Sequence, residues 1–96
     1  MKHFDELINN KEIFFNFMKE KYPLFYNSNL FFRDLQYAVY SFFETKNIRL
    51  SYSKTEKIAI KLSEKLEKTG ELVKINKNAW KVNFSIGIPV ITDNKS

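Results

Sequence analysis

The chain has no cysteine and few residues that interrupt secondary structure, with only two glycines and two prolines among 96 residues. Without cysteine, a disulfide framework, a thiolate zinc site and a cysteine nucleophile are excluded, which suits a reducing compartment. No segment approaches the roughly 18 apolar residues of a membrane span, and the residues after Met1 lack the apolar core of a secretion signal. These absences predict a cytoplasmic protein with no membrane partner.

Residues that carry catalysis are equally scarce. The single histidine, His3, has no Asp, Glu or Cys constellation around it in the sequence. No glycine-rich phosphate loop, metal-ligand spacing or pairing of a nucleophile with a base is present either. We therefore expect no enzymatic activity, no metal site and no cofactor.

Apolar and aromatic residues are abundant by contrast. The chain is 44% hydrophobic and contains ten Phe, five Tyr and one Trp. This is enough to fill one core, and it exceeds what a core of this size needs, so some aromatic side chains are expected at the surface as contact residues. We predict a single domain over residues 1–84 and an apolar, then polar, tail over residues 85–96.

The net charge of +5 is unevenly distributed along the chain. Residues 1–48 hold six basic and six acidic side chains, whereas residues 49–96 hold ten basic and five acidic ones. All of the excess positive charge is therefore C-terminal. This asymmetry predicts a half of the domain that faces a polyanion, supported by a neutral half.

The first half of the chain predicts two helices separated by a short strand. Apolar residues at helical spacing predict a helix over residues 3–21, which Pro23 ends and which can break at Asn9-Asn10. Residues 30–32 predict a stub strand. Asp34 is the predicted cap of a second helix, which ends at Lys46-Asn47.

A third helix has the clearest signals. The run Ser53-Lys54-Thr55-Glu56 matches a capping box, with Ser53 as N-cap and Glu56 at the third helical position. Gly70 supplies a left-handed C-terminal stop. These signals predict a helical body over residues 54–69.

The residues after Gly70 predict a β-hairpin with its tip at residues 76–78. Placing the apolar residues of both strands on one face gives three directly opposed pairs: Ile75 with Trp80, Val73 with Val82, and Lys74 with Lys81. Like charges directly across a strand pair are destabilising, which favours an anion over that face. The alternative is a charge-protected edge that prevents aggregation.

The run over residues 33–84 resembles the winged helix-turn-helix superfamily. The stretch LEKTGELVKI at residues 66–75 is similar to the junction between recognition helix and wing in that fold. The resemblance implies an α+β fold with three helices and a C-terminal hairpin wing, and DNA binding by the third helix in the major groove. It also implies that residues 51–55 (Ser51, Tyr52, Ser53, Lys54, Thr55) lie nearest the base edges. The turn at residues 47–51 departs from the pattern, because it is longer than usual and contains no glycine.

Five lysines of the third helix fall on one arc of about 80° at about 100° per residue, while its glutamates fall on another arc. The alternative to a polyanion surface is a solvated face with helical ion pairs such as Glu64 with Lys68. Sorting by sign favours the polyanion. The predicted DNA-binding set is Arg49, Tyr52, Ser53, Lys54, Lys57, Lys61, Lys65, Lys74, Lys77 and Lys81.

Two arginines in the chain are few for bidentate readout of guanine, so we expect phosphate-dominated, weakly specific binding to duplex DNA. Such a protein is a small regulator or a mobile-element factor, associated with the nucleoid when bound. Trp80 and Tyr52 are candidates for stacking on single-stranded DNA, and the alternative for Trp80 is a place in the core under the wing.

A second hypothesis is an accessory subunit that docks on a larger replication or transcription enzyme. It depends on Tyr37 and Tyr40, which lie off the apolar face of the second helix, and on the apolar tail. The tail residues predicted to contact a partner or a second copy of the chain are Ile86, Ile88, Val90 and Ile91.

Overall fold

The computed structural model describes residues 2–22 and 24–84, and over these ranges the fold is α+β, with four helices and one three-stranded antiparallel sheet. The elements are α1 (Lys2–Asn9), α2 (Lys11–Lys21), β1 (Asn29–Phe31), α3 (Phe32–Glu44), α4 (Tyr52–Lys68), β2 (Leu72–Asn76) and β3 (Ala79–Val82). Pro23 and the tail with Ile86, Ile88, Val90 and Ile91 lie outside the described residues, so the predictions for them stay predictions.

The predicted N-terminal helix is interrupted, as the sequence allowed, at Asn10. This residue has φ −120° and ψ 37°, outside helical geometry. Its backbone N–H and its side-chain amide both donate to the carbonyl of Glu6, at 3.1 and 2.9 Å. Its own carbonyl accepts from the N–H of Phe14 at 3.0 Å. One asparagine therefore ends α1 and starts α2, because it satisfies backbone groups of both helices.

The core lies between the helices and one face of the sheet. Its fully buried members include Leu7 of α1, Phe14 of α2, Phe43 of α3 and Leu62 of α4. Phenylalanine rings meet edge to face in it: Phe14 and Phe42 have centroids 5.4 Å apart at 88°. Such contacts add to the free energy of burial, so the aromatic excess is partly structural.

The start of α3 differs from the prediction that Asp34 caps it. The helix begins at Phe32, its N-cap residue is Phe31, and no side chain bonds its first turn. β1 runs directly into α3, and the N–H of Phe32 donates to the carbonyl of Asn78 at 2.8 Å. The hairpin turn therefore satisfies a group that a capping side chain would otherwise bond. Asp34 lies in the first turn, where its charge favours the positive end of the helix.

The start of α4 is two residues earlier than predicted, so the capping box at Ser53 is wrong. Ser51 is the N-cap: its backbone is extended, with φ −69° and ψ 161°, and its hydroxyl accepts from the N–H of Lys54 at 3.1 Å. Its carbonyl accepts from the backbone N–H and the hydroxyl of Thr55, at 2.9 and 2.8 Å. The predicted end is confirmed, since Gly70 has φ +82° directly after the last turn of α4.

Asn47 explains how the turn between α3 and α4 forms without glycine. It has φ +62°, in the left-handed region that asparagine tolerates better than most residues. The N–H of Ile48 reaches back to the carbonyl of Phe43 at 2.9 Å, and that of Asn47 to Glu44 at 3.0 Å. α3 therefore ends in a motif that usually contains glycine, and Ile48 follows as the hydrophobic residue that packs against the core.

The sheet has the strand order β1-β3-β2, and the predicted hairpin register is wrong by one residue. The observed pairs are Leu72 with Val82, Val73 with Lys81, and Lys74 with Trp80. Leu72, Trp80 and Val82 are the buried residues of the hairpin, whereas Val73 and Ile75 are 50% and 49% exposed. A shift of one residue moves every side chain of a strand to the other face. Lys74 and Lys81 are therefore not opposed, and the predicted repulsion between directly paired lysines is absent from the hairpin.

The corrected cap gives a stability prediction. Ser51→Ala removes the acceptor of the Lys54 N–H and should lower the free energy of unfolding by about 0.5–2 kcal/mol. Ser53→Ala is the matched control: Ser53 is exposed in the first turn, and its loss should change stability by less than about 0.5 kcal/mol. Urea unfolding of both variants measures the difference, and an equal or larger effect at Ser53 would contradict the cap.

Candidate nucleic-acid interface

The α4 lysines form an exposed cationic side of the helix. All five are exposed, and none forms an ion pair with an acid of residues 2–22 or 24–84. The predicted alternative of a helical pair between Glu64 and Lys68 is therefore not formed. We call this set the α4 lysine side: Lys54, Lys57, Lys61, Lys65 and Lys68.

The side of α4 next to the α4 lysine side is acidic and faces the hairpin. Glu56, Glu64 and Glu67 line a concavity of about 410 Å³ together with Lys74 and Lys77. The acids lie between the α4 lysine side and the hairpin, so the hairpin lysines do not extend that side. The two clusters that the sequence predicted to face one ligand are therefore separated by negative charge.

The three hairpin lysines also differ from one another. Lys74 approaches Glu67, with Nζ 3.8 Å from Oε2, and lies 5.9 Å from the centroid of the Trp80 ring. Lys81 lies on the other face of the sheet and donates to the carbonyl of Asn27 at 3.2 Å. Lys77 is exposed at the turn. A single cluster of three lysines is not formed, because the true register places Lys74 and Lys81 on opposite faces.

Trp80 belongs to the core. It is 2% exposed, and its indole N–H donates to Oε2 of Glu67 at 2.6 Å. This confirms the core alternative for Trp80 and removes it as a stacking residue. Tyr52 remains available, since it is 66% exposed.

A groove between α3 and the start of α4 gathers a different set of side chains. It encloses about 630 Å³, and no aspartate or glutamate lines it. Leu50 and Thr55 are its buried residues, and Tyr37 and Tyr52 are 58% and 66% exposed. We call it the α3–α4 groove; its lining is Arg33, Gln36, Tyr37, Tyr40, Arg49, Leu50, Tyr52 and Thr55.

Two elements bring these residues together. Arg33, Gln36, Tyr37 and Tyr40 are spaced by three, one and three residues along α3, so they share one side of it. The turn after Asn47 brings in Arg49, and the first residue of α4 is Tyr52. Sequence reasoning singled out both Tyr37 and Tyr40 as partner contacts but missed Arg33 and Gln36. Their helical spacing relative to Tyr37 and Tyr40 is the signal that could have found them.

The groove continues towards the hairpin. An adjoining concavity of about 410 Å³ shares Arg33, Gln36 and Tyr52 with it, and is also lined by Phe31 and Asn78. Phe31 is half exposed. The α3–α4 groove and this concavity therefore form one continuous surface from Arg49 to the hairpin turn.

The environment of Tyr22, close to Tyr37, shifts its ionisation. Burial, with smaller contributions from Asp34 and Tyr37, raises the pKa of its phenol above the ordinary value. It stays neutral throughout the physiological range. It therefore adds no charge beside Tyr37.

Comparisons with protein-family models, with curated proteins and with solved structures found no match. Over the described part of the chain, no group of three or more His, Cys, Asp or Glu side chains is placed to hold a metal ion. No helix in that part has the length and apolar character that crossing a membrane requires. The features of the described residues that indicate a function are the α4 lysine side and the α3–α4 groove.

The bond between Trp80 and Glu67 gives a second stability prediction. Glu67→Ala leaves a buried indole N–H without an acceptor and should lower the free energy of unfolding by about 1–3 kcal/mol. Glu64→Ala, one turn earlier and exposed, should stay within about 0.5 kcal/mol of the wild type. Thermal unfolding followed by Trp80 fluorescence reports both, and equal melting temperatures for the two variants would show that the bond does not stabilise the hairpin.

Proposed function

We propose that this chain is a non-catalytic DNA-binding protein of the winged-helix type, and that the α4 lysine side contacts the phosphates of duplex DNA. The observation that carries the proposal is a set of five exposed lysines on one side of one helix, none of which forms an ion pair with an acid of residues 2–22 or 24–84. Lys61 also makes a cation–π contact, with its Nζ 5.4 Å from the ring centroid of Phe4. Glu56 and Glu64 lie on the same helix, but neither forms an ion pair with any of these lysines. A phosphate backbone supplies the missing negative charge.

The order of elements supports the winged-helix interpretation. α3, a turn and α4 have the order of a helix-turn-helix, and the hairpin follows α4 directly after Gly70. β1 precedes α3 and pairs with β3, which attaches the hairpin to the helices. In this arrangement α4 is the recognition helix and the hairpin is the wing.

The chemistry of the surface favours weak sequence specificity. Lysine offers a point charge to phosphate, whereas bidentate readout of guanine is mainly the work of arginine. Both arginines line the α3–α4 groove and neither is on the α4 lysine side. We therefore propose a small regulator or mobile-element factor that binds many duplex sequences, and scrambled duplexes should compete within about one order of magnitude.

The salt dependence of binding tests the proposal. The wild-type chain should bind a mixed-sequence duplex with a log-log salt slope of roughly −4 to −6. Lys57→Gln combined with Lys65→Gln should make the slope shallower by about 2, because each lysine lost removes about one phosphate contact. Fluorescence anisotropy titrations at several salt concentrations measure both slopes.

The matched control is Lys2→Gln of α1 with Lys21→Gln of α2, since neither lysine forms an ion pair with an acid of residues 2–22 or 24–84. It changes the net charge by the same amount but should leave the slope unchanged, because neither residue belongs to α4 or to the hairpin. Equal slopes for the two double variants would reject the α4 lysine side as the contact. Nanomolar binding to one sequence with a weak salt slope would reject the phosphate-dominated mode.

The accessory-subunit hypothesis has one structural observation in its favour. The face of the sheet turned away from the core carries Phe31, Val73 and Ile75, each about half exposed. Exposed apolar groups of this kind are typical of protein contacts. Val73→Gln with Ile75→Gln removes the apolar groups without adding charge, and should leave duplex affinity intact and abolish a nuclease-resistant complex in the native host. A complex that survives these substitutions would reject this face as its docking surface.

A further inference from the structure

The α3–α4 groove has positive charges that no acid of the described residues neutralises. Arg33 and Arg49 are the two arginines of the chain, and both line this groove. Neither forms an ion pair with an acid of residues 2–22 or 24–84. The concavity on the other side of α4 contains three glutamates, whereas this groove contains no acid. Its charge is therefore complementary to an anionic ligand.

The aromatic side chains of the groove are also uncommitted. Tyr37 and Tyr52 are exposed and Tyr40 is half-buried. No hydrogen bond joins the hydroxyl of any of the three to another group in the described ranges. Most other aromatic rings of the fold pack against each other or against the core, as Phe14, Phe42 and Phe43 do. The tyrosines therefore leave ring surface free for a flat apolar ligand.

We propose that the α3–α4 groove binds single-stranded DNA, with tyrosine rings stacked on unpaired bases and the two arginines holding backbone phosphates. Both sides of the groove combine the two chemistries: Arg33, Tyr37 and Tyr40 lie on α3, and Arg49 and Tyr52 lie at and before the start of α4. A nucleotide strand combines the same two features, a charged phosphate and a flat base. A peptide of aspartate and glutamate residues has the charges but no flat apolar group.

The surface available to a strand extends beyond the α3–α4 groove itself. The groove runs on past Arg33 and Tyr52 to Phe31 near the hairpin turn, which adds a further exposed ring. The two concavities share Arg33, Gln36 and Tyr52, so a strand bound in one can continue into the other. The inference rests on the proposed function: α4 holds the duplex by its lysines, and the groove at the start of the same helix receives a strand that has separated from it.

Paired substitutions that keep or remove the rings test the groove. The probes are fluorescein-labelled oligo(dT) of about 12 nucleotides, within the usual site size of single-strand-binding domains, and a mixed-sequence duplex. Tyr37→Leu with Tyr52→Leu should weaken oligo(dT) binding by about 5- to 150-fold for each stacked base lost. Tyr37→Phe with Tyr52→Phe keeps both rings and should bind as the wild type does. The single variant Tyr37→Leu should weaken oligo(dT) binding and leave duplex affinity unchanged, because Tyr37 lies on α3, outside the residues predicted to contact duplex DNA.

A second variant tests the charges without touching the rings. Arg33→Gln with Arg49→Gln should weaken oligo(dT) binding and make its log-log salt slope shallower by about 1.4, the value for two phosphate contacts on a single strand. Both arginines are exposed, so the thermal transition of this variant should match that of the wild type. An unchanged slope would overturn the assignment of the arginines to phosphates.

The outcomes separate this inference from the proposed function. Equal oligo(dT) affinity in the leucine and phenylalanine variants would overturn the groove, whatever happens on duplex. Ring-dependent oligo(dT) binding in a chain that binds no duplex would support the groove and reject the duplex function. If a glutamate-rich peptide without aromatic residues binds in a ring-dependent way and oligo(dT) does not, the occupant is a protein segment and the inference is wrong.

Discussion

The burial of Trp80 on the core-facing side of the hairpin determines how the charged surfaces of this domain are arranged. Its ring is buried among the helices, and its indole N–H is bonded to Glu67 near the end of α4. Because side chains alternate along a strand, one buried residue decides which neighbours face α4 and which face solvent. Lys74 is thereby turned towards the acids of α4, and Val73 and Lys81 are turned outwards. The separation of hairpin lysines from α4 lysines follows from this one contact.

The sequence was sufficient for the elements whose signals are strong and local. Helical spacing of large apolar residues located the helices, Asn9-Asn10 marked the break between α1 and α2, and Gly70 marked the end of α4. Where two neighbouring residues carry the same signal, the sequence alone did not decide. Ser51 and Ser53 can both cap a helix. Which of them is the N-cap of α4 depends on where the chain lies after the turn at Asn47.

The predicted register of the hairpin was wrong for a related reason. Val73 and Ile75 formed the obvious apolar alternation, but Leu72 is the residue that fills the core, and Lys74 occupies the same face. A lysine is tolerated there because its ammonium lies near Glu67 and over the ring of Trp80, with its aliphatic part along apolar surface. A pattern that sorts residues only into apolar and polar cannot predict a lysine on the core-facing side of a strand. The sequence predicted only part of the α3–α4 groove. Its walls come from two helices whose relative position depends on the left-handed turn at Asn47, and the sequence pattern does not give that position.

In the proposed function, the sorting of charge around α4 would orient the protein relative to DNA before any contact exists. Lysines and glutamates on separate sides give the helix a transverse charge separation, in addition to the net charge of +5. In the field of a nucleic acid such a molecule experiences a torque as well as an attraction. In the proposed binding to DNA, encounters would then be biased towards one orientation, in which the lysines arrive first and the hairpin trails. Association would gain from this alignment, because docking of specific patches is normally limited by the fraction of collisions that are correctly oriented.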